Sequence, residues 1–127
     1  MKLLLLTAAL GLTACQSVPR SSALPPGGIT HTVVFWLKDH GNAAQRAKII
    51  ETSLGFRQIP GVLSVTAGPC IPGSRPIVDS TFDVAVTLTF ASMADLKGYL
   101  EHPIHKAASE GVLKPLAKKV TVYDFGG

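Results

Sequence analysis

A phenol and two imidazoles lie close together in the C-terminal third of this chain, in the segment Tyr99-Leu100-Glu101-His102-Pro103-Ile104-His105. Tyrosine and histidine side chains can transfer protons or donate hydrogen bonds, and histidine also binds metal ions near neutral pH. The same residue types occur at helix ends as ordinary packing groups, which is the alternative interpretation of this segment. Its chemistry therefore depends on the elements that position these side chains.

The hydrophobic pattern predicts one small domain over residues 29–127. Residues 29–38 alternate as a strand, and both faces of that strand are largely apolar. A helix follows, with Asn42 as its cap and Gln45 in capping-box register. Four apolar residues then recur at helical spacing and predict the buried face of this helix: Ala43, Ala47, Ile50 and Leu54.

Three further strands and a second helix complete the pattern. We expect strands over residues 62–68, 81–90 and 119–125, with a proline-containing loop over residues 71–80. Ser92-x-x-Asp95 opens the second helix as a capping box, Pro103 bends it, and Lys114-Pro115 ends it near residue 113. The order β-α-β-β-α-β predicts an α+β ferredoxin-like fold with an antiparallel sheet.

The helices of such a fold cover only one face of the sheet. The other face would carry Val34, Trp36, Ala85 and Thr87, and therefore needs a second cover. This pattern predicts a homodimer in which two sheets pack against each other.

The ferredoxin-like topology also places the first strand antiparallel to the last. His31 is then expected near Asp124, whose carboxylate can fix the tautomer of an imidazole and raise its basicity. His31 shares a strand face with Val33 and Phe35, which predicts that it looks into a space between sheet and helices. A strand-end histidine half in solvent is the alternative.

The relative orientation of His102 and His105 depends on whether Pro103 continues the helix or starts a new one. His102 and His105 share a helix face only if the helix runs through Pro103. Proline is tolerated in the first turn of a helix, so a new helix that begins near His102 is the other possibility.

The first 28 residues predict a membrane anchor and a linker. Lys2 and the apolar run over residues 3–12 are typical of a signal peptide, and the run is too short to span a bilayer. Leu12-Thr13-Ala14-Cys15 resembles a bacterial lipobox. We expect a signal peptide over residues 1–14, then a lipidated Cys15 and a flexible tether over residues 15–28. A plain signal peptide with an incidental cysteine is the alternative.

Residues near the anchor also bear on location and partners. Gln16 after the cysteine predicts that the domain is held at the outer membrane, facing the periplasm, in a Gram-negative source, and at the plasma membrane otherwise.

The formal net charge is +4 without a run of Lys or Arg, so we expect no nucleic-acid partner. If Cys15 is acylated, Cys70 has no disulfide partner, and a small buried residue or a reactive thiol are its two interpretations.

Five segments together resemble the stress-responsive A/B-barrel family, also called Dabb domains. In chain order they are residues 31–38 (HTVVFWLK), residues 59–62 (IPGV), residues 82–90 (beginning FDVAV), Tyr99-x-x-His102-Pro103-x-His105, and Tyr123-Asp124-Phe125. The resemblance implies a ferredoxin-like protomer and a dimer whose two sheets form a barrel.

The family resemblance also implies candidate catalytic residues. One plant branch resembles polyketide cyclases, in which a tyrosine and a histidine of this motif promote an intramolecular aldol condensation. Carried over by position, His105 is the general base and Tyr99 donates a hydrogen bond to the carbonyl oxygen, with Asp124 as a possible orienting group. The chain departs from that branch in its lipobox and its proline-rich loop over residues 71–80.

Three hypotheses for function follow. The first is a membrane-anchored dimer that binds a small apolar molecule without a cofactor, through His31, Val33, Phe35 and His102. The second is a cofactor-free enzyme that uses Tyr99 and His105 for aldol or proton-transfer chemistry. The third is a metal site formed by His31, His102 and His105, although their spacing matches no compact metal signature and we expect no metal. An open apolar cavity would favour the binding or the enzymatic hypothesis, whereas a cavity filled by side chains would favour a structural role.

Overall fold

The computed structural model describes residues 23–127, and the strands in this part of the chain form one antiparallel sheet. In chain order they are β1 Ile29–Leu37, β2 Val62–Pro69, β3 Val84–Phe90 and β4 Ala117–Gly126. Their order across the sheet is β2-β3-β1-β4, so that β2 and β4 are the edges. The predicted ferredoxin-like fold is therefore confirmed. The predicted signal peptide and Cys15 lie outside the described residues.

The helices of residues 23–127 pack on one face of the sheet. They are α1 Ala43–Leu54, α2 Met93–Glu101, α3 Pro103–Ala108 and the single turn α4 Lys114–Leu116. A 3₁₀ turn, Gly55–Gln58, extends α1, and a π-helical turn, Ser109–Leu113, joins α3 to α4. None of the helices in these residues is both long enough and apolar enough to cross a membrane.

Side-chain caps fix where the helices begin. The Asn42 side chain accepts a hydrogen bond from the backbone N–H of Gln45, and Ser92 Oγ accepts one from the N–H of Asp95. Both caps agree with the sequence pattern. His102 has extended backbone angles, because a residue before proline disfavours the helical conformation. Pro103 then begins α3, so the helix restarts and does not run through the proline.

Three element boundaries or faces differ from the sequence pattern. In α1, Ala43 and Ala47 are exposed, whereas Ile49 and Ser53 are buried. Alanine buries little surface, so the larger Ile49 determines which face packs on the sheet. Strand β3 begins three residues later than expected, because the Asp79 carboxylate holds the N–H of Thr81 in a local turn. The last helical segment continues through Pro115, since proline fits the first turn of α4.

The core lies between the sheet and the helices. Alternate residues of β1 and β3 point into it, and each fully buried large apolar side chain contributes about 1.5–3 kcal/mol to stability. The buried apolar residues are Phe35, Leu37, Ile49, Phe56, Ile59, Val84, Val86, Leu88, Phe90, Leu96, Tyr99 and Leu113.

Within residues 23–127, no helix packs on the opposite face of the sheet. Hydroxyl groups pair across its strands, with Thr32 Oγ1 lying 3.1 Å from Thr87 Oγ1. At the β4 edge, Tyr123 and Phe125 each keep 58% of their surface exposed. This face combines hydroxyl groups with exposed aromatic rings, and it is the surface on which the sequence predicts a partner.

A fully buried carboxylate, that of Asp83, joins the end of β1 to the start of α1. It accepts hydrogen bonds from the backbone N–H groups of Leu37 and Gly41 and from the side chains of His40 and Arg46. Burial by itself raises the pKa of Asp83, but these four donors outweigh it and lower the pKa to about 2. The carboxylate therefore stays ionised and holds this end of the sheet against α1.

Candidate functional site

A cavity of about 240 Å³ lies between the helix-covered face of the sheet and the helices. A dry apolar cavity of about 150 Å³ holds benzene, so this space can take a ring with a short substituent. Its walls are mostly apolar and come from both layers: Val33, Phe35, Phe56, Val86, Leu88, Leu100, Leu113, Val120 and Val122. It opens toward the β4 edge, where Val120 and Val122 are 44% and 47% exposed.

A phenol and two imidazoles, which can do acid–base chemistry, reach this cavity from three different elements. His31 comes from β1, Tyr99 from α2 and His105 from α3. The ring centroids of Tyr99 and His105 are 4.5 Å apart, and those of His31 and Tyr99 are 6.0 Å apart. The tyrosine ring therefore lies between the two imidazoles.

Tyr99 is held by an aromatic cluster, yet its hydroxyl group is unpaired within residues 23–127. The ring packs against Phe56 and Phe90, with centroid distances of 5.6 and 5.2 Å, and the residue is only 2% exposed. Burial raises the pKa of Tyr99, so the phenol stays protonated. A fixed, neutral O–H group on an apolar cavity is suited to donate a hydrogen bond to a ligand oxygen.

His105 is presented to the cavity as a neutral imidazole. Its Nδ1 atom lies 3.2 Å from the carbonyl oxygen of Leu100. A carbonyl can only accept, so Nδ1 carries the proton and Nε2 keeps its lone pair. Burial lowers the pKa of His105 and outweighs the opposing effect of the Leu100 hydrogen bond, while the charges of His31 and Lys114 lower it further. A neutral imidazole with a free lone pair can act as a general base.

The predicted proximity of His31 and Asp124 is confirmed. Residues 31 and 124 are paired in the β1–β4 ladder, and His31 Nδ1 lies 2.5 Å from Asp124 Oδ1. An ionised carboxylate only accepts, so Nδ1 donates, and Nε2 is the ring nitrogen left for a ligand. Asp124 itself is partly exposed and does not line the cavity, so it acts on the site through His31.

The other predicted site residues divide into two groups. Val33 and Phe35 line the cavity, as do Tyr99 and His105. His102 does not line it, because its Nδ1 accepts a hydrogen bond from the N–H of Ile104 and caps α3. No group of three or more potential metal ligands occurs within residues 23–127. The structure therefore does not bring His31, His102 and His105 together as a metal site.

Several cavity residues were not predicted as site residues, among them Ser53, Phe56, Ser109 and Lys114. Ser53 lies near the C-terminal end of α1, and Phe56 lies in the 3₁₀ turn. Ser109 is the first residue of the π-helical turn, and Lys114 follows its last residue. Ile49, Ser53 and Phe56 are spaced four and three residues apart, as on one face of a helix. This spacing is a sequence signal that could have identified Ser53 and Phe56. Nothing in the sequence pattern predicts the π-helical turn, so Ser109 and Lys114 had no such signal.

Comparison with solved structures identifies similar folds. A Dabb family protein with a ferredoxin-like fold from Mesorhizobium loti is 24% identical, with a TM-score of 0.66 over 80% of this chain and 97% of that one. A dimeric ferredoxin-like protein of unknown function from Thermobifida fusca is 19% identical, with a TM-score of 0.67 over 84% and 97% of the two chains.

A plant enzyme has the same fold. The hydroxynitrile lyase from Passiflora edulis is 23% identical, with a TM-score of 0.66 over 80% of this chain and 94% of that one. At these identities the structural matches establish the fold alone. Comparison with curated proteins gives no match.

The sequence itself gives a direct family match. The model of the Stress responsive A/B Barrel Domain matches residues 29–126, which include all four strands and every residue assigned to the cavity. The chain therefore belongs to the stress-responsive A/B-barrel (Dabb) family.

Proposed function

We propose that this protein binds a small, largely apolar molecule in the cavity between its sheet and its helices. The observation that carries the proposal is the cavity of about 240 Å³, whose mostly apolar walls also carry the side chains of His31, Tyr99 and His105. A structural domain gains stability by filling such a space, whereas a binding domain keeps it open. Tyr99 supports the same conclusion, because its protonated phenol lines the cavity and can donate a hydrogen bond to a ligand oxygen.

Native mass spectrometry of the protein purified from its own host tests this proposal. We expect a retained small molecule, released on denaturation. The variant Ser53→Leu places a larger side chain in the cavity and should retain less of it. Thr52→Leu, one residue away on α1 and outside the cavity, is the matched control. Equal retention by both variants would place the molecule elsewhere and contradict the proposal.

A second candidate is acid–base catalysis in the same cavity, and the pairing of His31 with Asp124 favours it. In this scheme His105 Nε2 removes a proton from a carbon next to a ligand carbonyl. Tyr99 donates a hydrogen bond to the carbonyl oxygen as it gains charge. His31, whose Nδ1–H is held by Asp124, presents the lone pair of Nε2 as a second base. The proton rests on His105 until it returns to the product, so no cofactor is required. The similarity in fold to a hydroxynitrile lyase is compatible with such chemistry.

Exchange of ligand protons with solvent tests catalysis without knowledge of the natural substrate. The probe is 4-phenylbutan-2-one in D₂O, with loss of its α-proton signals followed by NMR. We expect wild-type protein to accelerate the exchange and His105→Gln to lose roughly a hundredfold of that acceleration. His40→Gln, which changes a histidine remote from the cavity lining, is the control. If the ketone binds but its protons exchange at the uncatalysed rate, the catalytic proposal is contradicted and the binding proposal remains.

We further propose that the protein is a homodimer formed through the helix-free face of the sheet. The exposed Tyr123 and Phe125 rings on that face support this, and related proteins of the same fold are described as dimeric. Analytical ultracentrifugation should give the dimer mass. Tyr123→Lys should shift the protein toward monomer, whereas Lys97→Glu on the helical side should not.

The lipobox motif supports a membrane location for this domain. We propose that Cys15 is lipidated and that the domain is held at the outer membrane facing the periplasm, or at the plasma membrane in a Gram-positive source. Cys15→Ser should move the protein from the membrane fraction to the soluble fraction. Cys70→Ser should leave it in the membrane fraction, and release by both variants or by neither would contradict the assignment.

A further inference from the structure

Lys114 lies at the cavity although a regular helix would turn it away. Its backbone N–H donates to the carbonyl of Ser109, five residues earlier, in the π-helical turn. In an α-helix, residues five apart lie about 140° apart around the axis. In a π-helical turn the hydrogen bond joins residues five apart, so that Lys114 comes to lie over Ser109. Both residues accordingly line the cavity.

The neighbouring proline gives a reason for this unusual turn. Pro115 has no N–H, and in a regular helix its ring would clash with the carbonyl of Gly111, four residues earlier. The wider turn relieves that clash and rotates Lys114 toward the cavity. Such turns are rare and are found frequently at functional sites. The π-helical turn before Pro115 thus places Lys114 at the cavity.

The electrostatics around Lys114 favour a negative ligand. Its ammonium group pairs with Glu110, and both side chains are largely exposed. An exposed pair of this kind contributes little stability, so a ligand anion can replace Glu110 at small cost. Leu100, Val120 and Val122, which line the same cavity, carry no charge. The positive charge of Lys114 also lowers the pKa of His105, which indicates that this charge acts on the cavity.

We propose that Lys114 is a specificity-determining residue and that the ligand is a small carboxylate with an apolar body. The ligand body lies among the aromatic and aliphatic walls, and its carboxylate pairs with the Lys114 ammonium at the open side. This inference rests on the proposed binding function of the cavity and names the charge class of its ligand.

The test compares two probes of the same shape, 3-phenylpropanoate and 3-phenylpropanamide, by titration of the full-length protein at low ionic strength. We expect the carboxylate to bind roughly fivefold more tightly than the amide, as a partly exposed ion pair allows. Added salt should reduce this preference. Lys114→Met should bind both probes equally, whereas Lys114→Arg should keep the preference and Glu110→Gln should increase it. Lys97→Met, which removes an exposed charge outside the cavity, should behave as wild type.

The outcomes separate this inference from the binding function on which it rests. Equal affinity for the two probes in wild-type protein would overturn the role of Lys114 and leave the cavity as a binding site for neutral molecules. A carboxylate preference that survives in Lys114→Met would assign the selection to another residue and also overturn it. If neither probe binds, the binding function fails and this inference fails with it.

Discussion

His31 Nδ1 and Asp124 Oδ1 lie 2.5 Å apart across the neighbouring strands β1 and β4. The two residues are directly paired in an antiparallel ladder, so their side chains point to the same face of the sheet. The pair fixes the tautomer of an imidazole that is only 5% exposed and that lines the apolar cavity. Asp124 is thus a positioning residue, and its contribution can be separated from direct contact with a ligand.

Asp124→Asn is expected to slow proton exchange of bound 4-phenylbutan-2-one by roughly tenfold. A general acid or base accelerates a reaction by about 10²–10⁴-fold, and this variant impairs only the orientation of His31 without removing its side chain. The neutral amide can donate as well as accept, so it no longer enforces the Nδ1–H tautomer of His31. Ring ¹⁵N chemical shifts should report the loss of that tautomer. Asp79→Asn, another exposed carboxylate, is the control. An unchanged rate with unchanged ¹⁵N shifts would remove Asp124 from the mechanism.

Tyr99→Phe should separate the role of the hydroxyl from that of the ring. The hydroxyl has no hydrogen-bond partner within residues 23–127, so its removal should change the free energy of unfolding by less than about 1 kcal/mol. The same change should lower ketone exchange by tenfold or more, because the hydrogen bond to the developing negative charge is lost. Urea unfolding and NMR exchange measure the two effects. Exchange that equals wild type would show that the phenol has only a packing role.

The pH dependence of exchange should follow His105. Its pKa is lowered by burial from the ordinary value of 6.5, so the imidazole is neutral and active as a base at neutral pH. The rate should stay constant above pH 7 and decline as the pH falls through a pKa below 6.5. If the exchange rate instead declines with a midpoint above pH 7 as the pH is lowered, His105 is not the base that controls it.

The same lowered pKa has a consequence for stability. The unfolded chain binds a proton at His105 before the folded chain does, so this residue lowers the free energy of unfolding as the pH falls below about 6.5. In His105→Gln this part of the pH dependence should be absent. Equal slopes of unfolding free energy against pH in both proteins, between pH 5 and 7, would contradict it.

Asp83→Asn should strongly destabilise the fold while it leaves the cavity residues unchanged. An amide offers one acceptor where the carboxylate offers two, and its NH₂ group meets backbone and arginine donors. We expect a loss of roughly 2–4 kcal/mol in urea unfolding, the usual cost of disrupting a buried charged network. Asp79→Asn, in a solvent-exposed turn, should cost far less. A loss equal in the two variants would contradict the role assigned to Asp83.

The acid sensitivity of the fold should also depend on Asp83. Its folded pKa of about 2 lies below its ordinary value of 3.8, so its stabilisation is complete above that value and is lost as the pH falls toward 2. Acid unfolding of wild-type protein should therefore steepen below pH 4. Asp83→Asn, which cannot titrate, should lack that part of the curve.

Much of the fold could be predicted because its signals are local. Alternation over residues 29–38 and 81–90, the caps at Asn42 and Ser92, and the break at Pro103 each predict an element from a short stretch of sequence. Topology then made a long-range contact predictable, because the ferredoxin-like order pairs β1 with β4 and so brings His31 to Asp124. Tyr99 and His105 were predicted as site residues, and both line the cavity.

The remaining features depend on three-dimensional packing. His102 caps a helix because Pro103 fixes its backbone, which the residue type alone does not reveal. The donors to Asp83 come from residues 37–46 and converge only when α1 lies against the sheet. Lys114 reaches the cavity through a π-helical turn, and a pattern based on 3.6 residues per turn places it on the opposite side.

Titration of the full-length protein with neutral 3-phenylpropanamide, followed through the methyl NMR signals of valine and leucine, tests the central claim most directly. We predict saturable shifts at Val33, Val86 and Val122, which surround the cavity, and at least a tenfold weaker affinity in Ser53→Leu than in the control Thr52→Leu. Shifts confined to Val34 on the helix-free face, or equal affinity in the two variants, would contradict the claim that this cavity is the binding site.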